Sequence, residues 1–137
     1  MRVFRALRRG LERMVAADPL MDAGFFADRR ACERSQKLLE RCLAPAQRAE
    51  FARTSAFRVR GPSGQLYRIT YGTISNIEVL GPSGAVCGRL CAAPAGTLPT
   101  PAVMLAQKLM LETRESEFLR IAADGPGTTG TTGLATW

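Results

Sequence analysis

The chain has 137 residues, 46% of them hydrophobic, with four cysteines, no histidine and a formal net charge of +7. That length supports one small domain with chain left over for arms, and the apolar content is too high for wholesale disorder. Apolar runs stop short of the ~18–20 residues a membrane helix needs, and residues 1–17 hold no uncharged stretch of signal-peptide length; a cytoplasmic or particle-bound protein, not a secreted one, is expected.

Charge is unevenly placed. Residues 1–60 carry fourteen Arg/Lys against seven Asp/Glu, whereas residues 61–137 carry five of each. Nearly all the cations are arginine, which suits forked contacts to phosphate or carboxylate; a coding bias towards arginine would look the same. The absence of histidine excludes Ser–His and Cys–His nucleophile pairs, and leaves only carboxylates and thiols for metal chemistry. Glu112, Glu115 and Glu117 fall at a helix junction, where charges cap and solvate, and Glu117 with Arg120 has ordinary i,i+3 spacing. No enzyme, cofactor or metal is expected.

The first seventeen residues read as a basic amphipathic helix. Val3, Phe4, Leu7, Leu11, Met14 and Val15 share one face, with Arg2, Arg5, Arg8, Arg9 and Arg13 on the other. Such a helix can pack on its own domain or a partner chain, contact phosphates, or lie on an anionic membrane surface; the lack of Trp and Lys argues against the membrane. Asp18-Pro19 ends it, and DPLMDAGFF reads as a connector whose Phe25 and Phe26 reach the core.

A second helix is expected over 27–43, burying Ala31, Cys32, Ser35, Leu38, Leu39, Cys42 and Leu43. Pro45 ends it and opens a short third helix, AQRAEFAR. Four strands follow. Phe57 and Val59 alternate with Arg58 and Arg60, and Tyr67, Ile69 and Tyr71 alternate with Leu66, Arg68 and Thr70. The last two strands lie near 76–80 and 85–91. CAAPAGTLPTP is a loop; Thr100 is expected to cap the next helix, with Pro101 in its first turn and AVMLAQKLMLE as a buried body. SEFLRIAA forms a last short helix, and the Gly/Thr-rich tail that follows should not pack unaided.

The tetrapeptide GPSG occurs at 61–64 and again at 81–84. A phosphate loop would lead into a helix, but each copy leads into another strand, and neither completes GxxxxGK[ST] or GxGxxG. Both therefore read as three-residue hairpin corners with the last glycine left-handed. For the first copy this register sets Val59 against Tyr67, Phe57 against Ile69 and Arg58 against Arg68. The second copy pairs Val79 with Cys87 and Ile77 with Arg89, a less clean arrangement. Opposed arginines are unfavourable, so Glu78 on the next strand compensates them, or a polyanion or acidic partner does. Cys32 and Cys42 stand about 15 Å apart along one helix and Cys87 and Cys91 about 13 Å apart along a strand, so neither pair closes on itself; pairing between the two segments stays open, and four buried reduced thiols are expected.

The segments FRVRGPSGQLYRI, NIEVL, RLCAAP, LPTPAVMLAQKLMLE and EFLRIA, with ADRRACERSQKLLERCLAPAQ upstream, together resemble a family of small uncharacterised proteins of bacterial and phage genomes. The likeness covers roughly residues 27 to 123 and implies a helix–sheet–helix module among variable extensions. It carries over no catalytic residue. The family pattern has an acidic residue just before Val103 where this chain has Ala102, so no polar role is assigned to that helix start.

The expected fold is α+β: an antiparallel four-stranded β-meander packed on one face by flanking helices. An N-terminal helical arm (1–17) and a C-terminal extended arm (124–137) would flank a domain spanning 18–123. The expected function is that of a non-enzymatic subunit docking into a larger assembly of protein chains, a phage-like particle or an accessory complex, with Phe4, Leu7, Leu11 and Trp137 as apolar anchors. The alternative is a nucleic-acid-binding protein using Arg2, Arg5, Arg9 and Arg13 with the sheet residues Arg58, Arg60 and Arg68. No helix-turn-helix, zinc-finger or RNA-binding signature accompanies them.

Overall fold

A computed structural model describes residues 22–124 and 135–136. The elements are α1 (Asp22–Cys42), α2 (Pro45–Thr54), β1 (Ala56–Arg60), β2 (Leu66–Thr70), β3 (Ile77–Leu80), β4 (Val86–Leu90), β5 (Ala92–Ala93), α3 (Thr100–Thr113), α4 (Glu115–Asp124) and β6 (Ala135–Thr136). Strands β1 to β4 form an antiparallel sheet in sequence order. The expected α+β meander, covered on one face by helices, is the observed one.

Alternation sorts the sheet. Phe57, Val59, Tyr67, Ile69 and Ile77 point inward and are essentially solvent-free, packing with Leu39, Leu43, Phe51, Met104, Leu111 and Phe118 from the helices. Phe51 meets Phe57 edge-to-face, ring centroids 5.8 Å apart. Helix α3 is central, touching α1, α4, β1, β2 and β5. It is less apolar inside than its sequence suggests. Gln107 is fully buried, and Lys108 is buried with its ammonium 2.7 Å from Glu112.

Several local expectations are corrected. Helix α1 starts at Asp22, inside the segment read as a connector, because nothing between Pro19 and Cys42 breaks a helix except Gly24. The side chains of Phe25 and Phe26 lie outside the described residues. The inward stripe of α1 is Cys32, Gln36 and Leu39, continued by Leu43 just past its end, while Leu38 and Cys42, about 100° further round, are exposed. Pro99 rather than Thr100 occupies the cap position of α3, and the Thr100 hydroxyl bonds Tyr71 instead. Of the four free thiols only Cys91 is buried; Cys32 is half-buried, and Cys42 and Cys87 are exposed.

Both GPSG segments are hairpin corners. In each, the last glycine's N–H bonds the first glycine's carbonyl at 2.9 Å, and Gly64 and Gly84 adopt φ of 89° and 82°, where L side chains are strained. The first hairpin has the expected register. The second does not: a bulge between Val79 and Leu80 sets Val79 opposite Gly88, Glu78 opposite Arg89 and Ile77 opposite Leu90. The extra residue, Cys87, turns Arg89 outward and Leu90 towards the core, resolving the conflict that a regular ladder would create.

The tail is not wholly apart from the domain. Ala135–Thr136 pairs in parallel with Ala92–Ala93 and lies against α4.

Candidate docking face

The face of the sheet opposite the core is built by the same alternation that builds the core. With Phe57, Val59, Tyr67 and Ile69 inward, Arg58, Arg60, Leu66, Arg68 and Thr70 must point outward. The registers then align four outward residues in one cross-strand row: Arg58 opposite Arg68, Arg68 opposite Glu78, and Glu78 opposite Arg89. A second row runs Arg60, Leu66, Leu80 and Val86. Three of the sites expected from the sequence, Arg58, Arg60 and Arg68, are thus brought together.

Carboxylates compensate the row as the sequence suggested, but only partly. Arg68 Nε donates to Glu78 Oε2 at 2.6 Å, and Arg89 Nη2 reaches Glu78 Oε1 at 3.2 Å. One Glu78 therefore serves two guanidinium groups, and its side chain is only 12% exposed between them. Arg58 finds Glu50 of α2 at 3.2 Å. Arg60 donates to the Gly64 carbonyl at 3.0 Å. Three arginines share two carboxylates and Arg60 rests on a carbonyl, while Arg58 and Arg89 keep 58% and 57% of their side-chain surface in solvent. The exposed guanidinium ends of Arg58 and Arg89 add little to stability.

The two edges of the sheet differ. At β1, helix α2 closes the edge: Gln47 Nε2 donates to the Arg58 carbonyl at 2.8 Å, and Glu50 accepts from the Arg58 backbone N–H at 3.4 Å. Gln47 is itself held by the Ala44 N–H at 3.0 Å, and Arg48 ties α2 to the carbonyls of Glu40 and Leu43 at the end of α1. At β4, by contrast, Val86, Cys87 and Arg89 are all exposed.

Sequence reasoning missed Arg89, Glu50 and Gln47. A regular second hairpin turns Arg89 inward, and nothing local shows that an extra residue enters there. The α2 residues reach β1 only through tertiary packing.

Two polar clusters lie elsewhere. Glu115, read from the sequence as solvated, is buried at the start of α4, and its Oε2 has no hydrogen-bond partner. It lies over Gly61, where an added Cβ would come within 1.4 Å of Oε2 and would displace the Glu115 carboxylate. Burial, and after it the Glu115 charge, pushes the Tyr67 hydroxyl up to about 12. Near the other end of the sheet, Cys32 bonds Tyr71, and Tyr71 bonds Thr100. Burial raises the Cys32 thiol, with the Tyr71 bond opposing and Glu33 adding to the rise. A thiol pushed upward is the reverse of an activated nucleophile.

No group of three or more potential metal ligands is present among the described residues, and none of their helices is long and apolar enough to cross a membrane. The N-terminal candidates Arg2, Phe4, Arg5, Leu7, Arg9, Leu11 and Arg13 lie outside the described residues, as does Trp137. Comparison with protein-family models, with curated proteins and with solved structures finds no match to this chain.

Proposed function

We propose that the protein is a non-enzymatic docking subunit that joins a larger assembly through the open face of its sheet, with the terminal segments as additional anchors. The observation that carries this reading is the cross-strand row Arg58, Arg68, Glu78, Arg89, left with excess positive charge and with Arg58 and Arg89 more than half exposed. Its composition favours a protein partner. Glu78 in the middle of the row repels phosphate, and the second row, with Leu80 buried, ends on the exposed apolar Val86. In this reading Phe4, Leu7, Leu11 and Trp137 supply apolar contacts on the partner.

Nucleic acid is the second reading, and the arginine excess favours it. Among the described residues the open face offers no aromatic side chain for base stacking, since Tyr67 points inward, so binding would rest on phosphate contacts and fall steeply between about 50 and 200 mM salt. Two measurements separate the readings. Isolated from its native source at 150 mM salt, a docking subunit sediments far above its own 14.8 kDa, with or without nuclease. Arg58→Glu with Arg89→Glu should release it. Sedimentation at monomer mass in the native extract overturns the docking reading; collapse only after nuclease transfers the role to nucleic acid. For the latter, Arg58→Ala with Arg68→Ala should lower duplex affinity in a gel shift, and unchanged affinity removes the sheet face from it.

A further inference from the structure

Among the described residues no strand pairs with the outer edge of β4; that edge carries the furthest inference, and it rests on the docking reading above. The sheet has two edges, and the chain closes one of them with dedicated side chains: Gln47 and Glu50 take the backbone carbonyl and N–H of Arg58. An unclosed edge presents a row of backbone donors and acceptors, which is a template for another strand. At β4, Val86 is 46% exposed and the neighbouring Cys87 and Arg89 are exposed as well.

The charge order of the outer face specifies what such a strand would carry. Read across the sheet, the row runs Glu50, Arg58, Arg68, Glu78, Arg89 and then stops at the edge. Glu78 is already shared between Arg68 and Arg89. A residue directly opposite Arg89 on an added strand stands about 5 Å away at Cβ, where opposite charges stabilise and like charges destabilise. The adjacent row ends on the exposed, apolar Val86, which asks for an apolar neighbour. The inserted Cys87 leaves Val86 and Arg89 three residues apart on β4, but the two rows they end are set by Leu80 and Glu78, two residues apart on β3; a regular incoming strand that continues both rows carries its apolar side chain and its carboxylate at that two-residue spacing.

We propose that the β4 edge accepts an extended acidic segment of a partner protein, added as a fifth strand with a carboxylate against Arg89 and an apolar side chain against Val86. The bulge at Cys87 is part of this device, since it brings Arg89 into line with Glu78 on the outer face. A second copy of this chain does not meet the requirement. Its own β4, VCGRL, has no carboxylate, and its β1 edge is closed by α2.

The test uses the full-length 15N-labelled protein and a capped synthetic peptide, Thr-Thr-Glu-Thr-Val-Thr-Thr, with its Glu→Lys counterpart. The expected result is saturable shifts and slowed exchange of the amides of residues 86–90, with the glutamate peptide bound about tenfold more tightly than the lysine peptide. Arg89→Glu should reverse that preference; the peptide pair on the wild-type protein keeps the test decisive should this variant fold poorly. Three results overturn the proposal: no shift at millimolar peptide, equal binding of the two peptides, or shifts confined to the Arg58 and Arg60 region with β4 unmoved. In the last case, and whenever Arg58→Glu with Arg89→Glu still dissolves the native assembly, docking by the open face survives without strand addition. Edge-to-edge dimers in sedimentation, with no peptide response, would assign β4 to a second copy instead.

Discussion

Replacing Gln107 by leucine tests how the open end of the sheet is held. Gln107 is fully buried on α3, and its amide is reciprocally paired with Asn76 in the β2–β3 connection: Asn76 Nδ2 donates to Gln107 Oε1 at 2.8 Å, and Gln107 Nε2 donates to Asn76 Oδ1 at 3.0 Å. Gln107 Nε2 also donates to the Ala92 carbonyl at 2.9 Å. Asn76 in turn bonds the carbonyls of Thr70 and Gly72, closing the loop. Leucine fills nearly the same volume, so no large cavity opens. Two buried acceptors, Asn76 Oδ1 and the Ala92 carbonyl, lose their partner at about 1–3 kcal/mol each. The added apolar burial returns about 1–2 kcal/mol. Taking the middle of each range, the net expectation is a loss of about 2–3 kcal/mol in urea unfolding followed by far-UV circular dichroism, with the denaturant slope unchanged. A cycle with Asn76→Ala should show coupling of about 1 kcal/mol or more, since the two amides share their bonds. A cost below about 0.5 kcal/mol, or additive single-site effects, would refute the argument that this pair holds the loop and β5 to α3.

Three further outcomes follow from the same geometry. Tyr67, 1% exposed with its hydroxyl raised from 10.0 to about 12, keeps its proton in the fold after the unfolded chain has lost it, so stability falls as pH rises through this window. The loss should approach about 2–3 kcal/mol at its alkaline end; urea midpoints measured from pH 8 to 11 should decline less for Tyr67→Phe, and parallel declines would refute the assignment. Gly64→Ala and Gly84→Ala, at φ of 89° and 82°, should each cost about 1 kcal/mol in the same assay, whereas neutral or stabilising effects would show that the corners tolerate a side chain. With a chromogenic disulfide reagent, Cys42 and Cys87 should react rapidly and Cys91 only on unfolding, read by mass mapping of the modified thiols; rapid labelling of Cys91 would contradict its burial.

What the residues alone determine is what short-range periodicity carries. Alternation in AFRVR and LYRIT, the glycines of GPSG and the prolines at 45 and 101 bound the elements and place Arg58, Arg60 and Arg68 on one face, because each depends on backbone preferences within a few residues. The opposition of Arg58 and Arg68 followed from the turn length of the first hairpin for the same reason. The second hairpin escaped because its bulge is decided by what the whole strand must satisfy, Arg89 reaching Glu78 and Leu90 reaching the core, and no local pattern marks an inserted residue. Tertiary packing alone decided that Gln107, Lys108 and Glu115 are buried, that Cys42 and Cys87 are not, that Gln47 and Glu50 close one sheet edge, and that Ala135–Thr136 returns to β5. Each of these depends on partners distant in the chain, whose approach is set by how the helices settle on the sheet. The asymmetry between a closed β1 edge and an exposed β4 edge therefore belongs to the fold, although every residue that creates it is visible in the sequence.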